Sequence, residues 1–144
     1  MNKNDFNFWQ DHSSNYLKMA FSYDRCERIT NPDCYWKRTG DCGDTIEIFL
    51  TMRKDLIQRV SFDTEGCRNT IACCNTIAHL TEGKSCQAAW EITPEDVIDF
   101  LETLPLENHH CAKLAVGAFY LALTNYQERK RGRFKREDCD DTGN

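Results

Sequence analysis

The sequence predicts an α+β fold, a small antiparallel β-sheet made of a hairpin plus a short edge strand, with several helices around it. Two observations predict it. Apolar residues recur two or four positions apart through Ile46, Ile48, Leu50, Met52, Leu56, Val60 and Phe62. On the C-terminal side of that stretch apolar residues recur at three- and four-residue spacing, between recognisable helix start and stop signals.

Taken in order, residues 5 to about 29 carry Phe6, Trp9, Tyr16, Leu17, Ala20 and Tyr23 at loosely helical spacing, which predicts an amphipathic helix docked on a core. Asn31-Pro32-Asp33 ends it, and Cys34-Tyr35-Trp36-Lys37 reads as an edge strand before the turn-like Thr39-Gly40-Asp41. Ile46, Ile48, Leu50 and Met52 then alternate with Glu47, Phe49 and Thr51, and Leu56, Val60 and Phe62 fall two or four apart beyond Arg53-Lys54-Asp55, predicting a hairpin with one buried face. Pairing outward from Lys54 sets Asp44 opposite Thr64 and makes neighbours of Cys42, Asp44 and Cys67.

A helix is expected just after Gly66, with Cys67, Ile71, Cys74 and Ala78 on one stripe and an end near Gly83. Thr93 caps another, in which Pro94 suits the first position, Glu95 and Asp96 suit the positive end of the dipole, and Leu104-Pro105 is the stop. The last helix runs from about His109 to Arg129 on a stripe of Cys111, Leu114, Ala115, Ala118 and Ala122. The charge run Arg129 to Arg136 and the acidic end beyond it offer little to bury.

Composition narrows the function. A net charge of −5 disfavours the broad phosphate-neutralising surface that supplies nucleic-acid affinity. No run approaches the roughly 20 apolar residues of a membrane span, and Met1-Asn2-Lys3-Asn4-Asp5 lacks the apolar core of a secretory signal, so neither nucleic acid nor membrane is an expected partner and a cytoplasmic location is expected. Nine cysteines, odd in number and irregularly spaced, do not read as a disulfide framework; in a reducing compartment they point to metal or sulfur chemistry.

Cys67 opens a helix, where free amides and the dipole favour the thiolate that binds metal or attacks sulfur, and Cys111 has the same local setting. If the last helix packs by its Cys111-to-Ala122 stripe, its first turn meets the sheet edge carrying Cys42 and Cys67. Three thiolates, the Asp44 carboxylate and the His110 imidazole then form a set suited to iron clusters or tetrahedral zinc, and ligand type alone selects neither. Taken singly, each cysteine is an ordinary small hydrophobe, and Asp44 beside Gly43 equally fits a turn. Cys26, Cys34, Cys73, Cys74, Cys86 and Cys139 are read as core or surface filler, His12 and His79 as satisfied or surface histidines, and His109 is left unassigned. Neighbours on a helix diverge, so His110 and Cys111 are expected to make a poor catalytic dyad.

Asp41-Cys42-Gly43-Asp44 before the hairpin, Gly66-Cys67 opening a helix, Gly83-Lys84-Ser85 closing it and His110-Cys111-Ala112-Lys113-Leu114-Ala115 opening the last helix together resemble the IscU/NifU family of iron–sulfur cluster assembly scaffolds, over about Gly40 to Tyr126. The resemblance implies a sheet packed on helices as in IscU and SufU and a scaffold domain at 31–129; the apolar spacing before it reads as an N-terminal helical extension at 1–30, whose likeness to the family is weak, and the charge run after it as a mobile charged tail at 130–144. It maps the family's cluster ligands onto Cys42, Cys67 and Cys111, with Asp44 and His110 as auxiliary residues. It implies a non-enzymatic carrier that receives persulfide sulfur from a cysteine desulfurase, first on Cys111. Iron and electron donors would complete a transient 2Fe-2S cluster for apo iron–sulfur clients, and Asp44 would keep it labile. The alternative is a zinc-bound, SufU-like persulfide acceptor, although the insertion typical of that branch is missing between Cys67 and Cys111. Leu104-Pro105-Leu106-Glu107-Asn108 replaces the Leu-Pro-Pro-Val-Lys segment that an Hsp70-type chaperone recognises in many bacterial scaffolds, which leaves that partner open.

Overall fold

The computed structural model describes the backbone of residues 8–139 apart from Cys42, and the side chains of residues 10–131 with the same exception. Strands β1 (Cys34–Thr39), β2 (Thr45–Arg53) and β3 (Leu56–Thr64) form one antiparallel sheet with β2 in the centre. Ile46, Ile48 and Leu50 of β2 share a face with Phe62 and Val60, their neighbours on β3, and all five are fully buried. The opposite face is not wholly open to water. Phe49 is buried there beside Tyr35, with ring centroids 5.2 Å apart, and beneath the Arg28 guanidinium.

The hairpin register corrects the expected one, because Thr64 pairs with Ile46 rather than Asp44. Two features account for the shift. The turn is a two-residue one in which Lys54 and Asp55 both have positive φ, 54° and 64°, between paired Arg53 and Leu56. A bulge between Thr51 and Met52 then moves the pairing by one more residue. Asp44 therefore lies beyond the ladder, in the loop that leads into β2.

The N-terminal segment is also different from the single helix expected over residues 5–29. It forms α1 (Phe8–Asp11) and α2 (Ser14–Ala20), with Ser13 capping the latter by accepting from the Tyr16 amide. Of the expected apolar stripe, Tyr16 and Ala20 are buried; Phe6 and the Trp9 side chain lie outside the described residues. After Phe21 the chain competes for a better set of hydrogen bonds. Asn75 Nδ2 donates to the Met19 and Ser22 carbonyls, while Arg25 and Glu27 exchange backbone bonds with Phe62 on the free edge of β3. The helix thus ends well before Asn31-Pro32-Asp33.

Helix α3 (Arg68–Thr81) follows Cys67, which occupies its N-cap position. The one-turn helix α4 (Cys86–Ala89), capped by Ser85, was not expected, since four residues are too few to show a period. Helix α5 (Pro94–Leu101) has the anticipated Thr93 cap, completed by the Asp96 carboxylate accepting from the Thr93 amide. A 3-10 turn, Leu106–Asn108, leads into α6 (His109–Cys139). That helix continues ten residues past the expected end at Arg129, because Arg, Lys and Glu are good helix formers and a charged surface alone does not stop a helix.

Helix α6 packs against β1, β2, α3 and α5. Cys111, Leu114, Ala115, Ala118 and Ala122 are all buried, as their spacing predicts, together with Phe119 and Leu123. Because α3 also packs on α6, the first turns of both helices arrive beside the loop between β1 and β2.

Candidate metal centre

The Gly40–Asp44 loop is closed by two backbone bonds, Gly40 N–H to the Asp44 carbonyl at 2.9 Å and Gly43 N–H to the Gly40 carbonyl at 3.0 Å. This closure carries half-buried Asp44 to the start of α6. There one carboxylate oxygen of Asp44, one ring nitrogen of His110 and Cys111 Sγ all lie within 4.8 Å of one another. A carboxylate, an imidazole and a thiol at that spacing suit a thiophilic transition metal. Cys42 lies outside the described residues, so its expected place beside Asp44 rests on the sequence.

The His110 tautomer follows from its partners. Nδ1 is 3.0 Å from the Glu107 carbonyl, which only accepts, so Nδ1 carries the proton and Nε2 presents a lone pair toward Cys111 Sγ, 3.7 Å away. This corrects the expectation that adjacent His110 and Cys111 diverge: both side chains lean back over the 3-10 turn that precedes the helix. His109 turns the other way. Its Nε2 donates to the Leu104 carbonyl at 3.2 Å, which ties down the connection from α5.

Cys67 and Cys111 meet at a residue the sequence reading passed over. The Thr70 hydroxyl donates to Cys111 Sγ at 3.5 Å, and the same oxygen is 4.0 Å from Cys67 Sγ. The two sulfurs are thus no further apart than those two legs together. Gly66 makes the room, since a Cβ there would stand 2.7 Å from Thr70 Oγ1. The available signal was position: Thr70 is the third residue after the cap, where a side chain turns back over the helix start. Asn108 plays a similar part for Cys111, with Nδ2 3.9 Å from its sulfur.

The two thiols differ more than their shared place at helix starts suggests. Burial raises the Cys67 thiol, but the amides and side chains of Thr70 and Asn69 outweigh it and leave Cys67 below its ordinary value. Cys111 is corrected in direction. Burial pushes it up, and the bonds from Thr70 and Asn108 do not make up the difference. Cys67 is exposed, whereas Cys111 is buried.

The remaining cysteines fit the filler reading in part. Cys34, Cys73, Cys74 and Cys86 are buried, and burial raises the Cys73 and Cys74 thiols strongly; Cys26 is exposed, and the Cys139 side chain lies outside the described residues. His12 is satisfied by the Thr103 hydroxyl at 2.7 Å and stacks on Tyr16, and His79 packs against Phe100. Among the described residues no helix is long and apolar enough to cross a membrane.

The family model for the NifU-like N terminal domain matches residues 37–133. Iron-sulfur cluster assembly scaffold protein IscU 1 of Archaeoglobus fulgidus is 33% identical over 92 residues, covering 64% of this chain and 60% of that protein. The IscU protein of Plasmodium falciparum is 32% identical over 108 residues, covering 75% and 65%. The chain therefore spans about two thirds or less of these relatives' length. Among solved structures, a SUF-system scaffold from Fervidobacterium islandicum AW-1 superposes with a TM-score of 0.64 at 19% identity, covering 77% of this chain and 95% of that one. A NifU-like N-terminal protein from Brucella abortus also gives 0.64, at 16% identity, covering 81% and 94%; at these identities both likenesses concern the fold. With the family model matched across most of the chain, sheet and long helix included, this protein belongs to the NifU-like N-terminal domain family.

Proposed function

We propose that this protein is an iron–sulfur cluster assembly scaffold whose cargo, a transient 2Fe-2S cluster, is held by Cys42, Cys67 and Cys111 with Asp44 and His110 as auxiliary ligands. The observation that carries the reading is the meeting of Cys67 and Cys111 at one hydroxyl, with Asp44 and His110 against the second sulfur. Residues far apart in sequence supply soft and hard donors at one rim, which is what a site that both binds and releases iron requires. The scaffold unit covers residues 31–129, and α2, within the N-terminal extension at 1–30, packs on α3 and α5.

The residues divide the task. Cys111, with the Nε2 lone pair of His110 beside it to take its proton, is the acceptor of sulfur from a cysteine desulfurase. Exposed Cys67 is the thiolate that meets incoming iron. Asp44, a hard oxygen donor among sulfurs, is the weakest attachment and the point from which the cluster leaves for apo-proteins. Iron and electron donors complete the set of partners.

Anaerobic incubation with ferrous iron, cysteine, a cysteine desulfurase and a thiol reductant, which takes the persulfide sulfur to sulfide, tests this. The expected result is a visible absorption spectrum of a 2Fe-2S cluster with matching iron and acid-labile sulfide. The same donors also suit tetrahedral zinc, and protein that holds zinc, takes up persulfide and gains no acid-labile sulfide would replace the scaffold reading with that of a zinc-bound sulfur acceptor.

A further inference from the structure

A cleft of about 370 Å³ adjoins the cysteine rim, lined by Arg38, Thr39, Gly40, Asp41, His110, Lys113 and Leu114. Its floor is one face of α6, formed by His110, Lys113 and Leu114, with Gly117 next on the same face. Its wall is the end of β1 and the Gly40–Asp41 turn. The cleft contains two basic side chains, Arg38 and Lys113, and neither has an ion-pair partner among the described residues. At one end it reaches His110, whose Nε2 touches the Cys111 sulfur.

The sequence makes a specific concession to place Arg38 there. Gly117 lies within a long helix, where glycine is disfavoured by about 1 kcal/mol relative to alanine. A Cβ at Gly117 would stand 1.6 Å from an Arg38 terminal nitrogen. The missing side chain is thus the space in which the guanidinium lies, one helical turn beyond Lys113.

We infer that this cleft binds a small thiol persulfide bearing both carboxylate and ammonium groups, of the cysteine or glutathione kind, and presents its outer sulfur to Cys111. Arg38 and Lys113 take the carboxylate, Asp41 takes the ammonium, and the sulfur end lies toward His110. The Cys111 thiolate attacks the outer sulfur of R–S–SH. A sulfur–sulfur bond forms at Cys111 as the original one breaks, and the electron pair leaves on the R–S⁻ thiolate, which takes up the proton released by Cys111. No external oxidant or reductant is needed. This rests on the proposed role of Cys111 as sulfur acceptor and adds a donor that is a diffusible molecule rather than a protein.

The test follows persulfidation of Cys111 by mass spectrometry under anaerobic conditions, with glutathione persulfide and with an uncharged alkyl persulfide. Three proteins are compared: native, Lys113→Glu and Gly117→Ala, the last displacing Arg38 without altering a charge. Each variant is checked for folding by circular dichroism. Lys113 is exposed on the helix surface, so its replacement leaves the core alone. The expected result is a saturable reaction of native protein with glutathione persulfide, slowed about tenfold in Lys113→Glu, with less than about a twofold change for the uncharged persulfide. Gly117→Ala slows the glutathione reaction in the same selective way. Equal rates with both persulfides across the three proteins would overturn the inference. Native protein that still assembles a cluster from iron and inorganic sulfide in that case retains the scaffold reading, whereas charge-selective persulfidation without any cluster assembly removes the scaffold reading and keeps the cleft.

Discussion

Asp44 and Cys67 show how single residues bear on the function. Asp44 places a carboxylate oxygen within 4.8 Å of the Cys111 sulfur, and its replacement removes the least durable attachment for iron. Asp44→Ala is expected to yield a cluster that decays more slowly in air and transfers more slowly to an apo-acceptor, followed by loss of visible absorption; faster decay would show that Asp44 protects the cluster. The exposed thiols separate by pH. Cys67 is held below the ordinary value of 9.0, and Cys26 is raised by burial and by Asp24 and Asp63. Because the thiolate is the reactive form, Cys67 gains reactivity at lower pH than Cys26. Iodoacetamide at neutral pH is expected to label Cys67 before Cys26, with the gap closing as pH rises above 9.0; labelling of Cys26 ahead of Cys67, read by peptide mass spectrometry, would contradict the environment described for Cys67. The setting of Cys67 was legible in sequence because it depends on its own helix start. That of Cys111 was not, since its burial is supplied by segments remote in sequence.

Two local structures decide how elements hold the rim in place. Glu82, at the end of α3, accepts from the Val60 amide at 2.9 Å and from Arg25 Nε at 2.9 Å, and so ties α3 to β3 and to the segment after α2. Burial raises this carboxyl, but Arg25 and the Val60 amide outweigh burial and leave it below its ordinary 4.5. A carboxyl lowered by folding stabilises fully above its unfolded value, and that contribution is lost as pH falls through the folded one. Glu82→Gln is expected to cost about 1–3 kcal/mol near neutral pH in denaturant unfolding, and to remove part of the native protein's loss of stability below pH 4.5. An unchanged acid limb would exclude Glu82 as its source. At the hairpin turn, exposed Lys54 adopts a positive φ that suits glycine. Lys54→Gly is expected to stabilise the chain by about 0.5–1 kcal/mol, and destabilisation would mean that the turn depends on the Lys54 side chain. The hairpin was legible from alternation, but its register was not, because neither the turn's second residue nor the bulge at Thr51/Met52 leaves a mark in apolar spacing.

For the molecule as a whole, the sheet, the helices that pack on it and the stripe of α6 were all legible, because each is encoded by periodicity that its own burial enforces. The parts that were not legible are those set by contact between distant segments. The N-terminal region follows the free edge of β3 instead of staying helical, and Thr70 gains its place through contact with Cys111, which lies 41 residues away. The convergence of Cys67 and Cys111 was expected from the stripe of α6 and from the family resemblance; the Thr70 hydroxyl at which they meet was not, and the function proposed here depends on that convergence. The most direct test is the acid-labile sulfide bound per chain after anaerobic reconstitution of native protein and of Cys67→Ser and Cys111→Ser. Near-complete loss in each single variant is the predicted result; sulfide retained at the native level in both would contradict a shared site.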